Sequence, residues 1–138
     1  MATRKDHCVV LLSIHPEYAD AILNGTKRVE FRKPPFPRDV THVVIYATAP
    51  VRKVVGWFVV GGTEERSPKE LWKKYSSVGG IARSDFGSYY EGRAHAVAIH
   101  VVAPKKLRKG LPLSALGRRL VPPQNFRYLT AAALSAIA

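Results

Sequence analysis

Apolar and polar positions divide the chain into short runs broken by proline and glycine. Residues 8–14 are almost continuously apolar and read as a buried strand. Pro16–Leu23 reads as a short helix, with proline near its first position and Gly25 near its end. Residues 27–32 read as a strand. Pro34-Pro35-Phe36-Pro37 forces an extended loop, because proline blocks both a helix and a central ladder. His42–Ala47 and residues 53–60 are β-branched runs, joined by a hairpin or corner at Thr48-Ala49-Pro50, and Gly61-Gly62 ends the second.

Ser67-Pro68-Lys69-Glu70 is a capping box with proline at the first helical position, opening a helix that carries Leu71, Trp72 and Tyr75. A second helical pattern covers residues 84–90 and stops at Gly92. Residues 94–103 alternate and then turn continuously apolar, as a strand. Residues 104–110 read as a basic loop with Lys105, Lys106, Arg108 and Lys109. Residues 122–128 are extended, 130–138 form a terminal helix, and 1–6 are a short basic tail. No repeat or domain boundary stands out, so residues 1–138 read as one domain. Several strands with short helices inserted between them predict an α+β fold built on a small mixed β-barrel. A doubly wound sheet would need longer helices after every strand.

Charge adds what the pattern lacks. The chain has 22 Lys and Arg against 10 Asp and Glu, a net charge of +12 on 138 residues. Such a field points to an anionic partner, most economically nucleic acid; the plainer alternative is a basic surface kept in water. Cys8 is the only cysteine, so an intramolecular disulfide and a cysteine-based zinc site are excluded, and its apolar run predicts a buried structural thiol. His7, His15, His42, His95 and His100 are scattered, and no pair has helical ligand spacing, so no metal or cofactor is expected. There is no signal peptide pattern and no bilayer-length apolar stretch, which predicts a cytoplasmic setting and no membrane partner.

The segment Gly25-Thr26-Lys27-Arg28-Val29-Glu30-Phe31-Arg32 puts both charge signs on a few residues, as G-x-K-x-x-E-x-R. It could hold a polar ligand, do proton chemistry on one, or be a surface strand with ion pairs. Lys27 could offer an ammonium to phosphate, or act as a base if burial lowered its pKa. Glu30 and Arg32 are two apart and share a strand face, so an ion pair is expected. Glu30 could also accept from the exocyclic amine of cytosine or adenine. Strict alternation sends Lys27 to the other face, with Val29 and Phe31, unless the strand begins with a bulge. Further on, Tyr46 could stack on a base, with Thr48 beside it, while Arg52 and Lys53 could take phosphates. The alternative puts Tyr46 in the core and the cations in water. In Gln124-Asn125-Phe126-Arg127-Tyr128, amides alternate with aromatics. Asn125 and Arg127 are candidate contacts on a strap that buries Phe126 and Tyr128. Trp57 and Trp72 read as core.

The order of these pieces resembles the ASCH domain, a member of the PUA-like superfamily. Ser13-Ile14-His15-Pro16-Glu17-Tyr18, the G-x-K-x-x-E-x-R segment, Ile45-Tyr46-Ala47-Thr48-Ala49-Pro50, Val55-Gly56-Trp57-Phe58 and residues 122–129 carry the likeness. The resemblance implies a PUA-like β-barrel wrapped by helices, with a cleft beside the Lys27–Arg32 segment that recognises RNA or a nucleotide, and it counts Tyr46 among the cleft residues. It also implies that some members cleave RNA, and that a small subgroup hydrolyses N4-acylated cytidine with a Lys, a Thr and a Glu. Here Glu30 stands where that subgroup has threonine, and Asp85 is the loose match for its acid, which weakens that activity. The leading expectation is an RNA-binding module, with single-stranded DNA or a nucleotide as variants of the partner. Its contacts would be Lys27, Glu30, Arg32, Tyr46, Thr48, Arg52, Lys53, Asn125 and Arg127. The rival is a small metal-independent hydrolase, a ribonuclease or nucleoside amidohydrolase, using Lys27, Glu30 and Asp85.

Overall fold

A computed structural model describes residues 7–138; the basic tail read at residues 1–6 lies outside the described residues. Six strands run β1 (Val9–Ile14), β2 (Val29–Arg32), β3 (His42–Ala47), β4 (Lys53–Arg66), β5 (Ala96–Leu111) and β6 (Phe126–Leu129). The helices are α1 (Pro16–Leu23), α2 (Pro68–Tyr75), α3 (Arg83–Tyr89) and α4 (Ala131–Ser135), with a 3-10 turn at Leu113–Ala115. No helix among the described residues is long and apolar enough to cross a membrane.

The strands form one mixed sheet in the order β2-β5-β4-β3-β1-β6, in which only β1 and β3 pair in parallel. The fold is α+β as expected, but the sheet is open: β2 and β6 are its two edges and do not pair with each other. β1 is buried on both faces, which is why it reads as a continuous apolar run. Val10, Leu12 and Ile14 pack with Val43, Ile45 and Ile22 of α1, while Val9 and Leu11 pack on the other face with Val44, Tyr46, Val54 and Leu134 of α4. A third cluster joins Val29 and Phe31 of β2 to Leu71 of α2 and to Phe86 and Tyr90 of the α3 segment.

Three boundaries differ from the pattern. β2 begins at Val29, so Lys27 precedes the ladder. Gly61-Gly62 does not end β4: Gly62 takes φ +124° inside a register shift between Val60 and Thr63, and the strand continues to Arg66. The glycines mark a bulge rather than a stop. Residues 104–110 are strand, not loop, with Lys105 opposite Trp57 and Lys106 opposite Gly56. Pro104 is tolerated because the ladder is already interrupted there, with Ala103 at φ +48° between two registered stretches.

The capping box at Ser67 and Glu70 forms as expected. It seats α2 beside the extended end of β4, where Glu64 accepts from Lys74 Nζ at 2.5 Å, from the Tyr75 hydroxyl and from Arg66 Nε at 2.8 Å. The hydrogen bonds from Lys74 first, then from Tyr75 and Arg66, hold the Glu64 carboxyl down from 4.5 to about 2. A carboxyl depressed in the folded state stabilises above its unfolded value and loses that contribution as pH falls through the folded one. The stability gap between the wild type and Glu64→Gln is therefore expected to be full above pH 4.5 and to close toward pH 2. Urea unfolding across this range measures it, and a gap independent of pH contradicts the assignment.

Candidate nucleic-acid cleft

The chain turns tightly between α1 and β2. Gly25 takes φ +88°, and the Thr26 and Lys27 amides both donate to the Ala21 carbonyl at 3.0 Å. Arg28 then donates its amide to Val78 and accepts from Val101. Lys27 is thus part of a turn, and the alternation expected of a regular strand does not govern it. Its side chain comes to the Glu30 side.

Lys27 is only 2% exposed. Its ammonium donates to the Gly79 carbonyl, lies 3.6 Å from Glu30 Oε1, and sits 5.4 Å and 5.2 Å from the ring centroids of Tyr18 and Phe31. Burial pushes its pKa down and the Glu30 carboxylate pulls it back. The loop between α2 and α3 lies directly on this side chain. Gly80 takes φ +59°, and a Cβ there would stand 2.7 Å from Lys27 Cβ.

Glu30 is the second buried charge. Its Oε2 accepts from Arg32 Nε at 3.0 Å and lies 2.8 Å from Arg32 Nη2, the expected same-face pair. Arg32 reaches further: Nη1 donates to Asn125 Oδ1 at 3.1 Å and Nη2 to the Ser13 carbonyl at 2.8 Å. Ser13 in turn donates its amide to the Asn125 carbonyl and its hydroxyl to the Pro123 carbonyl. One guanidinium therefore bridges edge strand β2 to β1 and to the segment leading into β6.

At this seam lies a cleft of about 430 Å³, within the range of small-ligand sites, roughly 300–1,000 Å³. Buried Lys27, Glu30 and Phe31 form its floor, with Arg32, Asn125, Ser13 and Thr48 beside them. Tyr18, Ile81 and Tyr89 are half-buried lining, and His15, Pro34 and Gln124 are exposed at the rim. Lys33 Nζ lies 4.6 Å from the Tyr89 ring centroid. Burial raises the Tyr89 pKa. The Tyr18 pKa is raised by burial first and then by the nearby Asp85 carboxylate. Two cations, Lys27 and Arg32, against one carboxylate leave the floor positive.

The cleft thus gathers Lys27, Glu30, Arg32, Thr48 and Asn125 from the predicted set. Asp85 is exposed on α3 and reaches the site only through Tyr18. Tyr46 does not line this cleft: it is 5% exposed and packs with Val9, Leu11 and Val44 on the face that α4 covers. Arg52 and Lys53 are exposed beyond the corner that follows Thr48, and Arg127 is exposed opposite Leu11 on β6; none of the three lines the cleft. Sequence reasoning gave no role to Tyr18, Ile81 or Tyr89. Tyr89 follows Asp85 by four residues on α3, so helical spacing could have placed both on one face.

Residues 12–109 match the ASCH domain. The chain belongs to the ASCH family. It is 29% identical over 130 residues to an ASCH domain-containing ribonuclease of Zymomonas mobilis, covering 90% of this chain and 86% of that protein. It is 31% identical over 121 residues to a large ribosomal subunit protein of Ureaplasma parvum, of which the match covers only 39%. The crystal structure of the Zymomonas mobilis ASCH protein superposes with a TM-score of 0.85 at 27% identity, covering 93% of this chain and 92% of that one. The N-terminal domain of Staphylothermus marinus McrB, at 10% identity and a TM-score of 0.56, shares the fold alone. The ASCH match contains Lys27, Glu30 and Arg32, while Asn125, which completes their network, lies past its end.

Removing one member of a buried charge network strands the others, at a cost of about 3–5 kcal/mol. Lys27→Met should cost about this much by leaving Glu30 with Arg32 alone and the Gly79 carbonyl without its donor. In a cycle with Glu30→Gln, the two changes should couple by about 1 kcal/mol or more, the behaviour of contacting residues. Urea unfolding of the two single variants and the double variant gives the coupling, and strict additivity would show that the two charges act independently.

Proposed function

We propose that this ASCH domain binds RNA and takes one unstacked nucleotide into the cleft. The observation that carries the reading is the Glu30 carboxylate at the floor. Oε2 is committed to Arg32, whereas Oε1, among the described residues, has Lys27 alone at 3.6 Å, beyond normal hydrogen-bond length. That oxygen can accept from an exocyclic amine, which favours cytosine or adenine. Tyr18 and Tyr89 offer ring faces, Arg32 and Lys33 supply positive charge, and the net charge of +12 draws in the phosphate backbone. On this reading the open sheet works as a barrel, its seam bridged by Arg32 instead of by a ladder.

A ribonuclease is the second reading, favoured by the name of the Zymomonas mobilis relative. Lys27 or Arg32 would stabilise charge developing on the phosphate, with Glu30 as the base. The geometry favours binding, because Arg32 holds Glu30 and the Gly79 carbonyl occupies the Lys27 ammonium. Deacylation of an N-acylated nucleoside needs a nucleophile that Glu30 does not supply in the same way.

Labelled single-stranded RNA should bind with an affinity that falls steeply with salt, and should be recovered intact in the presence of EDTA. Glu30→Gln turns part of the acceptor into a donor and should weaken binding by roughly tenfold, the lower part of the 1–3 kcal/mol that a good base contact is worth. RNA that does not bind at low salt sinks the reading. Cleavage in EDTA that survives repurification and disappears in Glu30→Gln would put the ribonuclease in its place.

A further inference from the structure

The second half of β5 carries a charge pattern that the cleft does not use. Lys105, Lys106, Arg108 and Lys109 are all exposed, while Leu107 and Leu111 between and after them pack into the core beneath α4. This stretch is an outer ribbon on the start of β4, which β3 pairs on its other side: Lys105, Lys106 and Leu111 stand opposite Trp57, Gly56 and Val54, and residues 107–110 bulge out between them. β2 pairs with β5 only over Val97–His100, so the outer edge of the ribbon has no strand beside it among the described residues. The leucines tie the ribbon to the body of the domain, and the cations point away from it into solvent.

Among the described residues, no ion pair holds them. From Val101 to the C-terminus the sequence holds seven Lys and Arg residues and no Asp or Glu. The ion pairs among the described residues join Lys27, Arg32, Arg66, Lys74 and His100 to Glu30 and Glu64, and none reaches the ribbon. The ribbon also connects to the cleft. Thr48 lines the cleft, and its carbonyl accepts from Val51 and Arg52 in the corner that leads to Lys53. The Lys53 side chain then lies along Gly110, where a Cβ would meet Lys53 Cδ at 2.9 Å. A track of positive charge thus runs from the cleft over Arg52 and Lys53 to Lys109 and Lys106.

We propose that this ribbon is a second RNA contact, which takes the phosphates of the strand flanking the nucleotide held in the cleft. The inference rests on the RNA-binding reading above and names the ligand more closely: an oligonucleotide long enough to span both places. Lysines on a sheet edge also discourage strand pairing, but edge protection alone predicts no effect on RNA affinity.

Two labelled RNAs separate the two places: a trinucleotide that can occupy only the cleft, and a single strand of about twelve nucleotides, within the site sizes of single-strand binders. Lys106→Gln/Lys109→Gln should weaken the longer RNA by about fivefold or more at moderate salt. It should lower the slope of log affinity against log salt by about 1.4, since each phosphate of a single strand that is no longer neutralised takes away about 0.7. Trinucleotide binding should not change. A control with the same charge loss on α2, Lys69→Gln/Lys73→Gln, should leave both RNAs unaffected. Equal effects from the two pairs would overturn the proposal, since the ribbon would then act only through net charge. So would an unchanged slope in the ribbon variant. Circular dichroism and gel filtration check folding; should the double variant aggregate, each single change must still lower the slope by about 0.7. If the wild type binds neither RNA, the RNA reading itself fails; if it binds both and the ribbon variant matches it, only the ribbon inference fails.

Discussion

The buried charges of Lys27 and Glu30, together with half-buried Arg32, constrain the rest of this structure most. An ion taken out of water costs several kcal/mol unless its hydrogen bonds are replaced within the protein. Each charge here meets that demand by reaching a different segment. Lys27 fixes the loop at Gly79, Glu30 ties the turn after α1 to β2, and Arg32 holds Ser13 of β1 and Asn125 beside β6. Segments far apart in sequence are therefore brought to one place by the partners that three side chains require. The cleft is the space that these partners leave.

An open edge becomes a cleft for the same reason. β2 has only four residues and β6 four, and each pairs on one side only. Where a ladder would have sealed the seam, one guanidinium bridges it, and a side chain leaves room that a strand would fill. The α2–α3 loop supplies the opposite wall. Its approach depends on Gly80, because any Cβ at that position would run into Lys27. Tyr18 connects the two halves: its ring faces the Lys27 ammonium, and the Asp85 carboxylate of α3 helps to hold its pKa up.

Local rules read well from the sequence where local physics decides. The run of β1, the proline-started helices, the capping box at Ser67 and the Glu30–Arg32 pair follow from neighbours within a few residues. Lys27 departs from the alternation because the period of two holds only inside a ladder, and the ladder starts two residues later. Tyr46, expected in the cleft, lies in the core on the opposite face, since both faces of β3 are buried and alternation cannot say which face meets the cleft. The ribbon at residues 104–110 resembles a loop in sequence because proline, glycine and four cations mimic one. What makes it a strand is the distant start of β4 across the sheet, which no local pattern contains.

Cleft and ribbon use charge in opposite ways, and burial decides which. In the cleft, Glu30 and Arg32 are held by protein partners, with side chains 7% and 14% exposed, so their geometry is fixed before any ligand arrives. Such groups cost little to reorganise, and on the proposed reading they discriminate between bases while two cations against one carboxylate leave the floor positive. The ribbon cations are exposed and stand outside the ion pairs among the described residues, so their field acts at long range but cannot tell one base from another. A domain of this size with a net charge of +12 can thus separate the two tasks. On the proposed reading, recognition falls to charges already satisfied within the protein, and attraction to exposed charges that stand outside the ion pairs among the described residues.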